Sequence, residues 1–114
     1  MAEATNEFCF LYSTYPDMDT ALAAARLAVD QKLAACVNVY PKMTSVYMWE
    51  GIREESGEHA AFFKTRRALA EKAMAALWQV HPYSLPCFVV LPIEAGSSDY
   101  LAWARTQTEQ PVEV

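Results

Sequence analysis

Residues 32–65 read KLAACVNVYPKMTSVYMWEGIREESGEHAAFFKT, and no other stretch limits the fold as much. They hold a helix end, a long apolar run broken by one proline, a charged turn and a second apolar run. Cys36, Asn38 and Tyr40 alternate with Val37 and Val39, and Ser45, Tyr47 and Trp49 alternate with Val46 and Met48. A two-residue period is that of a strand, whose side chains point to opposite faces in turn. Pro41 has no N–H to give to a ladder, so it marks a bend, bulge or edge between two strand halves. Gly51 permits a turn or bulge at the far end. Glu54, Glu55, Ser56, Gly57 and Glu58 form a polar approach to a return strand, where Ala60, Phe62 and Lys64 alternate with Ala61 and Phe63. The expectation is a long bent hairpin with the other elements packed on or beside it.

Ahead of it, residues 1–7 are polar and read as frayed. Residues 8–14, FCFLYST, form a strand apolar on both faces, and so a central one. Pro16 ends it, and Asp17 is placed to cap a helix from Met18 to Leu33. Met18, Leu22, Ala25, Val29 and Leu33 make the expected apolar stripe of that helix. After the hairpin, a second helix runs from Thr65, read as its cap, to Val80, with Leu69, Ala73, Leu77 and Val80 inward. His81-Pro82 stops it, because a residue before proline is pushed out of helical geometry. Residues 87–93 form another doubly apolar strand. Residues 96–99 announce a short third helix carrying Tyr100 and Trp103 on one side. Residues 106–114 read as a tail: Pro111 argues against a long final helix, and Val112 and Val114 can place it as an edge strand, on a neighbouring chain included.

The order is strand, helix, strand, strand, helix, strand, then a short helix. That is an α+β fold, the ferredoxin-like split βαβ repeated once, in one domain over residues 1–114 with its core at about 8–105. Two helices then cover one face of a four-stranded antiparallel sheet. The other face needs a further layer, because the first and last strands are apolar on both sides. A composition that is 54% hydrophobic supplies more apolar surface than so short a chain can hide, and a subunit interface is the natural place for it. A net charge of -5 excludes a generic nucleic-acid binder. No apolar run approaches the roughly 20 residues of a membrane span. Three widely spaced cysteines without a C-x-x-C fit reduced thiols, and the expectation is a soluble, cytoplasmic protein.

KLAACVNVYPKMTSVYMWEG at 32–51, Glu58 with Lys64-Thr65, HPY at 81–83, Pro86, VLPI at 90–93 and SSDYLAW at 97–103 together resemble the CutA family of divalent-cation tolerance proteins. The likeness spans about residues 8–105. It implies a tight homotrimer built on the plan of the PII signalling proteins, with sheets facing inward and long hairpins pairing between subunits. It also implies weak binding of copper(II) or another divalent cation and a role in the response to metal ions, with no catalytic activity. The chain departs from the family pattern HPYExPE, since Ser84 and Cys87 replace two glutamates, and Ser13 stands where bacterial members often carry a cysteine.

Cys36 and His81 are the candidate metal ligands; a core thiol and a helix-end cap are the competing readings of the two. Glu58 and Lys64 share strand parity and are candidates for ion pairs across subunits or for plain solvation. Glu50 at the turn is a candidate contact to a neighbour's backbone. Tyr47, Trp49, Tyr83, Tyr100 and Trp103 are expected to line an interface or cleft. No nucleophile elbow, zincin helix, Walker loop or dinucleotide fingerprint is present, so the chain is not read as an enzyme. The alternative to metal handling is a PII-like signalling or scaffold trimer that binds a small ligand or an unidentified protein partner.

Overall fold

A computed structural model describes residues 1–111. Its elements are β1 (Ala2–Ala4), β2 (Phe8–Tyr15), α1 (Met18–Asp30), β3 (Cys36–Val39), β4 (Met43–Trp49), β5 (Ile52–Arg66), α2 (Ala70–Val80, entered through a 3-10 turn at Arg67–Leu69), β6 (Phe88–Pro92), β7 (Ala95–Ser97) and α3 (Ser98–Gln107). The main sheet has the order β3-β5-β2-β6, all antiparallel, with β4 continuing along β5. This is the expected α+β, ferredoxin-like arrangement.

β5 is one strand of 15 residues rather than a polar approach followed by a shorter strand. Its first half pairs with β4, from Ile52↔Trp49 to Glu58↔Met43, and its second half with β3, from Ala61↔Val39 to Lys64↔Cys36. The two partners part at Pro41. Tyr40 N–H still donates to Ala60 O at 2.8 Å, and the ladder then lapses for the residue that has no N–H. At the tip, Glu50 (φ 51°) and Gly51 (φ 80°) both take left-handed backbone, as a two-residue hairpin turn of this hand requires.

α1 is capped as expected: Asp17 accepts from Thr20 N–H at 2.8 Å. Its inward face is not the leucine and valine stripe. Ala21, Ala24, Ala25 and Ala28 are the buried residues, while Val29 is exposed. Four alanines bring the helix axis close to the sheet, and the larger side chains are then pushed to its flanks. The helix also stops short of Leu33. Lys32 adopts φ 58°, Lys32 N–H bonds Val29 O at 3.1 Å and Leu33 N–H bonds Ala28 O at 2.8 Å. This pair of bonds is a Schellman C-cap, with a lysine where glycine is usual.

The strand β5 carries Thr65 into the sheet as a fully buried residue, so it does not cap α2, which buries Leu69, Ala70, Ala73 and Leu77 and leaves Val80 exposed. Residues 2–4 are paired rather than frayed, Ala2↔Ser97 and Ala4↔Ala95. Helix α3 runs to Gln107, past the expected start of the tail; its buried end residue Thr108 receives Arg66 Nε–H on its hydroxyl at 3.0 Å and Arg66 Nη2–H on its carbonyl at 2.6 Å. Val112 and Val114 lie outside the described residues.

One face of the sheet packs on α1 and α2 through Leu11, Tyr15, Phe63, Leu33 and Leu77, all almost fully buried. α3 closes only one end of the other face, burying Phe8 against Leu101 and Ala104. The rest of that face is open. Phe62 makes aromatic contacts there with Phe10, Tyr12 and Tyr40 at centroid separations of 6.1, 5.1 and 5.7 Å, flanked by exposed Val89 and Leu91.

The left-handed lysine provides a test of the cap. An L-residue with a Cβ is disfavoured by roughly 1–2 kcal/mol in that region, and glycine's greater unfolded-state freedom offsets part of the gain. Lys32→Gly is expected to stabilise the protein by about 0.5–1 kcal/mol, read as a raised thermal midpoint. A lowered midpoint would show that the lysine side chain has a packing role that outweighs its backbone strain.

Candidate functional site

The loop after α2 meets the hairpin at a cleft of about 520 Å³. Its walls include Tyr47 and Trp49 from β4, Glu58 from β5, and Tyr83, Leu85 and Cys87 from the 81–87 loop. Glu58 falls on the strand face shared with Ala60, Phe62 and Lys64, the face that turns away from the helices. It is only 7% exposed. Tyr83 Oη–H donates to Glu58 Oε2 at 2.8 Å. Burial, followed by this carboxylate, pushes the Tyr83 phenol well above its ordinary range, so it keeps its proton and remains a donor.

His81 holds the loop in place. Its Nε2 is 2.8 Å from Thr14 O, and its Nδ1 accepts Tyr83 N–H at 3.1 Å. The carbonyl can only accept, so Nε2 carries the hydrogen and Nδ1 the lone pair. The ring stacks on Tyr15 at 4.5 Å and meets Tyr83 and Phe88 at 5.0 and 5.7 Å. Burial lowers its pKa, against the raising effects of the Thr14 carbonyl and the Glu58 charge. The result is a neutral histidine with both nitrogens in use.

Cys36 sits elsewhere. It is half-buried on the edge strand β3, opposite Lys64. Lys64 is level with Phe10, four residues along β2 from Thr14, roughly 13 Å at the rise of a strand. Cys36 and the helix-side His81 also lie on opposite faces of the sheet, and one chain does not bring them together. Cys87 is at the cleft mouth, and its thiol is pushed up first by desolvation and then by Glu58, which disfavours the thiolate that binds metals. Cys9 is buried and its thiol is likewise pushed up by burial. Among the described residues, no three His, Cys, Asp or Glu side chains gather to hold an ion. The donor set among the described residues of a single chain therefore does not fit a resident divalent cation.

The other expected residues are placed as follows. Glu58 and Lys64 do not pair within the chain: Glu58 turns to Tyr83, and Lys64 Nζ lies 5.4 Å over the Tyr100 ring. Tyr100 and Trp103 share one side of α3, with ring centroids 5.5 Å apart, away from the cleft. Glu50 is exposed at the hairpin turn. Tyr47, Trp49 and Tyr83 do line the cleft. Sequence reasoning missed Thr14 and Leu85, and missed that Glu58 is buried. The apolar parity of Ala60 and Phe62 on the same strand was the available signal for that burial.

The fold defines a class, a ferredoxin-like α+β protein with a projecting hairpin and an open sheet face. A model of the family described as CutA1 divalent ion tolerance protein matches residues 9–107, and the chain belongs to this family. Human Protein CutA is 39% identical over 98 residues, which are 86% of this chain and 55% of that protein. The divalent-cation tolerance protein CutA of Thermus thermophilus is 38% identical over 95 residues, 83% of this chain and 92% of that one. The solved structure of CutA from Synechococcus elongatus superposes with a TM-score of 0.91 at 30% identity, covering 96% of each chain. The chain spans about half the length of the animal relatives it matches. No helix among the described residues is long and apolar enough to cross a membrane.

The histidine lock makes stability depend on pH. Its folded pKa lies below the unfolded value of about 6.5, so the unfolded chain takes up the proton first. The contribution is complete above the unfolded pKa and is lost as pH falls through the folded one. The melting temperature is expected to fall between pH 7 and pH 5.5, and His81→Gln to flatten that fall while lowering stability at pH 7. An equal slope in the variant would remove His81 as its source.

Proposed function

We propose that the chain works as a homotrimer in divalent-cation tolerance, without catalysis and in the cytoplasm. The observation that carries the assembly is the open sheet face, where Phe10, Tyr12, Phe62, Val89 and Leu91 lack a covering layer. Two further features support it. β4 has one edge without a strand partner among the described residues, and such an edge is a template for pairing. The hairpin beyond the sheet also exposes Val46, Met48 and Ile52, each at 60% or more. A closed assembly covers all three at once.

The expected role of copper(II) or another divalent cation takes a narrower form in this reading. His81 has no free lone pair, so weak binding is assigned to Cys36 on the sheet edge, with the remaining ligands coming from a neighbouring chain. A PII-like trimer that binds a small ligand or protein partner is the second reading, and the cleft around Glu58 is what favours it.

Native mass spectrometry of the untagged protein tests both parts. The expected species is three times the 12.8 kDa chain. It should take up a fixed number of copper ions, and Cys36→Ala should abolish the uptake. Phe62→Glu would place a charge in the interface and shift the spectrum to monomer. A wild-type monomer would overturn the assembly, and copper uptake unchanged in Cys36→Ala would overturn the ligand.

A further inference from the structure

The cleft between β4 and the 81–87 loop has a chemistry that the cation-tolerance reading does not use. At about 520 Å³ it lies within the range of small-molecule sites, roughly 300–1,000 Å³. Its one ionisable carboxylate is Glu58, which is nearly fully enclosed. Tyr83 satisfies one oxygen of that carboxylate, and no donor among the described residues reaches the other. Among the described residues, those that line it include no lysine, arginine or histidine. The walls beside the carboxylate are the rings of Tyr47, Trp49 and Tyr83, closed by Leu85.

Each candidate ligand class meets these facts differently. An anion would face a buried negative charge with no cation to offset it. A bare divalent ion would find one carboxylate and one thiol held in its protonated form, too few donors for a site. A neutral apolar molecule would suit the walls but would displace water from the free carboxylate oxygen without replacing its hydrogen bonds, a costly omission. A small organic cation satisfies both parts, because an ammonium group donates to the carboxylate while aromatic faces attract positive charge through their quadrupoles.

We propose that this cleft is a binding site for a small organic amine. Its ammonium group sits against Glu58, and its apolar body lies between Trp49, Tyr47 and Leu85. Glu58 sets the charge preference, and Tyr83 orients the carboxylate by holding its other oxygen. The proposal is independent of the metal reading, since it uses neither Cys36 nor a bound ion.

Isothermal titration calorimetry on the full chain, in its solution assembly and with EDTA present, tests it with phenethylamine as the probe. The comparison is 2-phenylethanol, which has the same body and no charge. A charge-assisted bond to a buried carboxylate should favour the amine by about tenfold or more. Glu58→Gln should reduce the amine to the affinity of the alcohol, and Trp49→Ala should weaken both. Phenylacetate should not bind. Equal affinities for amine and alcohol in the wild-type protein would overturn the proposal without any variant that might misfold. Absence of saturable amine binding, or amine affinity unchanged in a folded Glu58→Gln variant, would overturn it as well.

Discussion

β5 fixes the register of most of the molecule. Over Ala61–Lys64 it is bonded on both sides, to β2 and to β3, and over Ile52–Glu58 it carries β4 alone. Because strand side chains alternate, this single ladder decides which residues of three other strands face the helices and which do not. A slip of one residue would exchange Leu11 and Phe63, now in the core, for Phe10 and Phe62, now on the open face. Both sets are aromatic or aliphatic, so hydrophobicity alone selects poorly between the two registers. Small differences in shape must select instead. The helix face pairs Ser13 with Ala61 across the strands, and Ala21, Ala24 and Ala28 of α1 are buried on that side. The open face carries its bulk one pair further along, where Tyr12 lies opposite Phe62.

The helix face and the hairpin thus pose a common problem of surface. Alanine packing buries little area per residue, at roughly 25 cal/mol for each Å² removed from water. A chain of this length that spends its inward positions on alanine keeps much of its aromatic content outside. The uncovered layer of Phe10, Tyr12 and Phe62, and the exposed valine, methionine and isoleucine of the hairpin, follow from that choice. The assembly proposed above would supply burial that the isolated fold does not.

The legible part of the fold was what depends on period and on backbone chemistry. Strands at 8–14, 36–49 and 87–93, the Asp17 cap and the stop at His81-Pro82 each follow from alternation or from a residue with one local role. What was not legible depended on competition between levels. Thr65 has the chemistry of a helix cap, but the β2–β5 ladder extends past it and turns it into a buried strand residue. Leu22 and Val29 fit a helical stripe, but the close approach of the alanine face excludes them from the centre. Lys32 gives no signal for left-handed backbone, yet the Schellman bonds impose it. Residues 1–7 look polar and free, and they acquire order through partners remote in the chain: β7, which is more than 90 positions away, and Arg105 of α3, which binds the Glu7 carboxylate. At the site, Tyr47, Trp49 and Tyr83 of the expected aromatics line one cleft while Tyr100 and Trp103 lie on α3 away from it, and the grouping of Cys36 with His81 was not a product of spacing: the sheet separates them.

Glu58 is the point at which fold and site meet. A nearly enclosed carboxylate on the apolar parity of β5 costs stability unless it is hydrogen-bonded, and buried ionisable groups of this kind concentrate at functional sites. Its partner comes from Tyr83, which His81 positions through the backbone N–H of the same residue. His81 in turn is fixed by Thr14 on β2 and by the Tyr15 ring. The chain of contacts therefore runs from the central strand through a neutral imidazole to a phenol and then to the carboxylate. Each member of that chain constrains the next, and the last acceptor retains an oxygen without a protein partner. A network that only held the loop down would close on itself. This one ends in a cleft, with a carboxylate oxygen that a ligand can reach between aromatic walls, and that is the arrangement the proposed amine site requires.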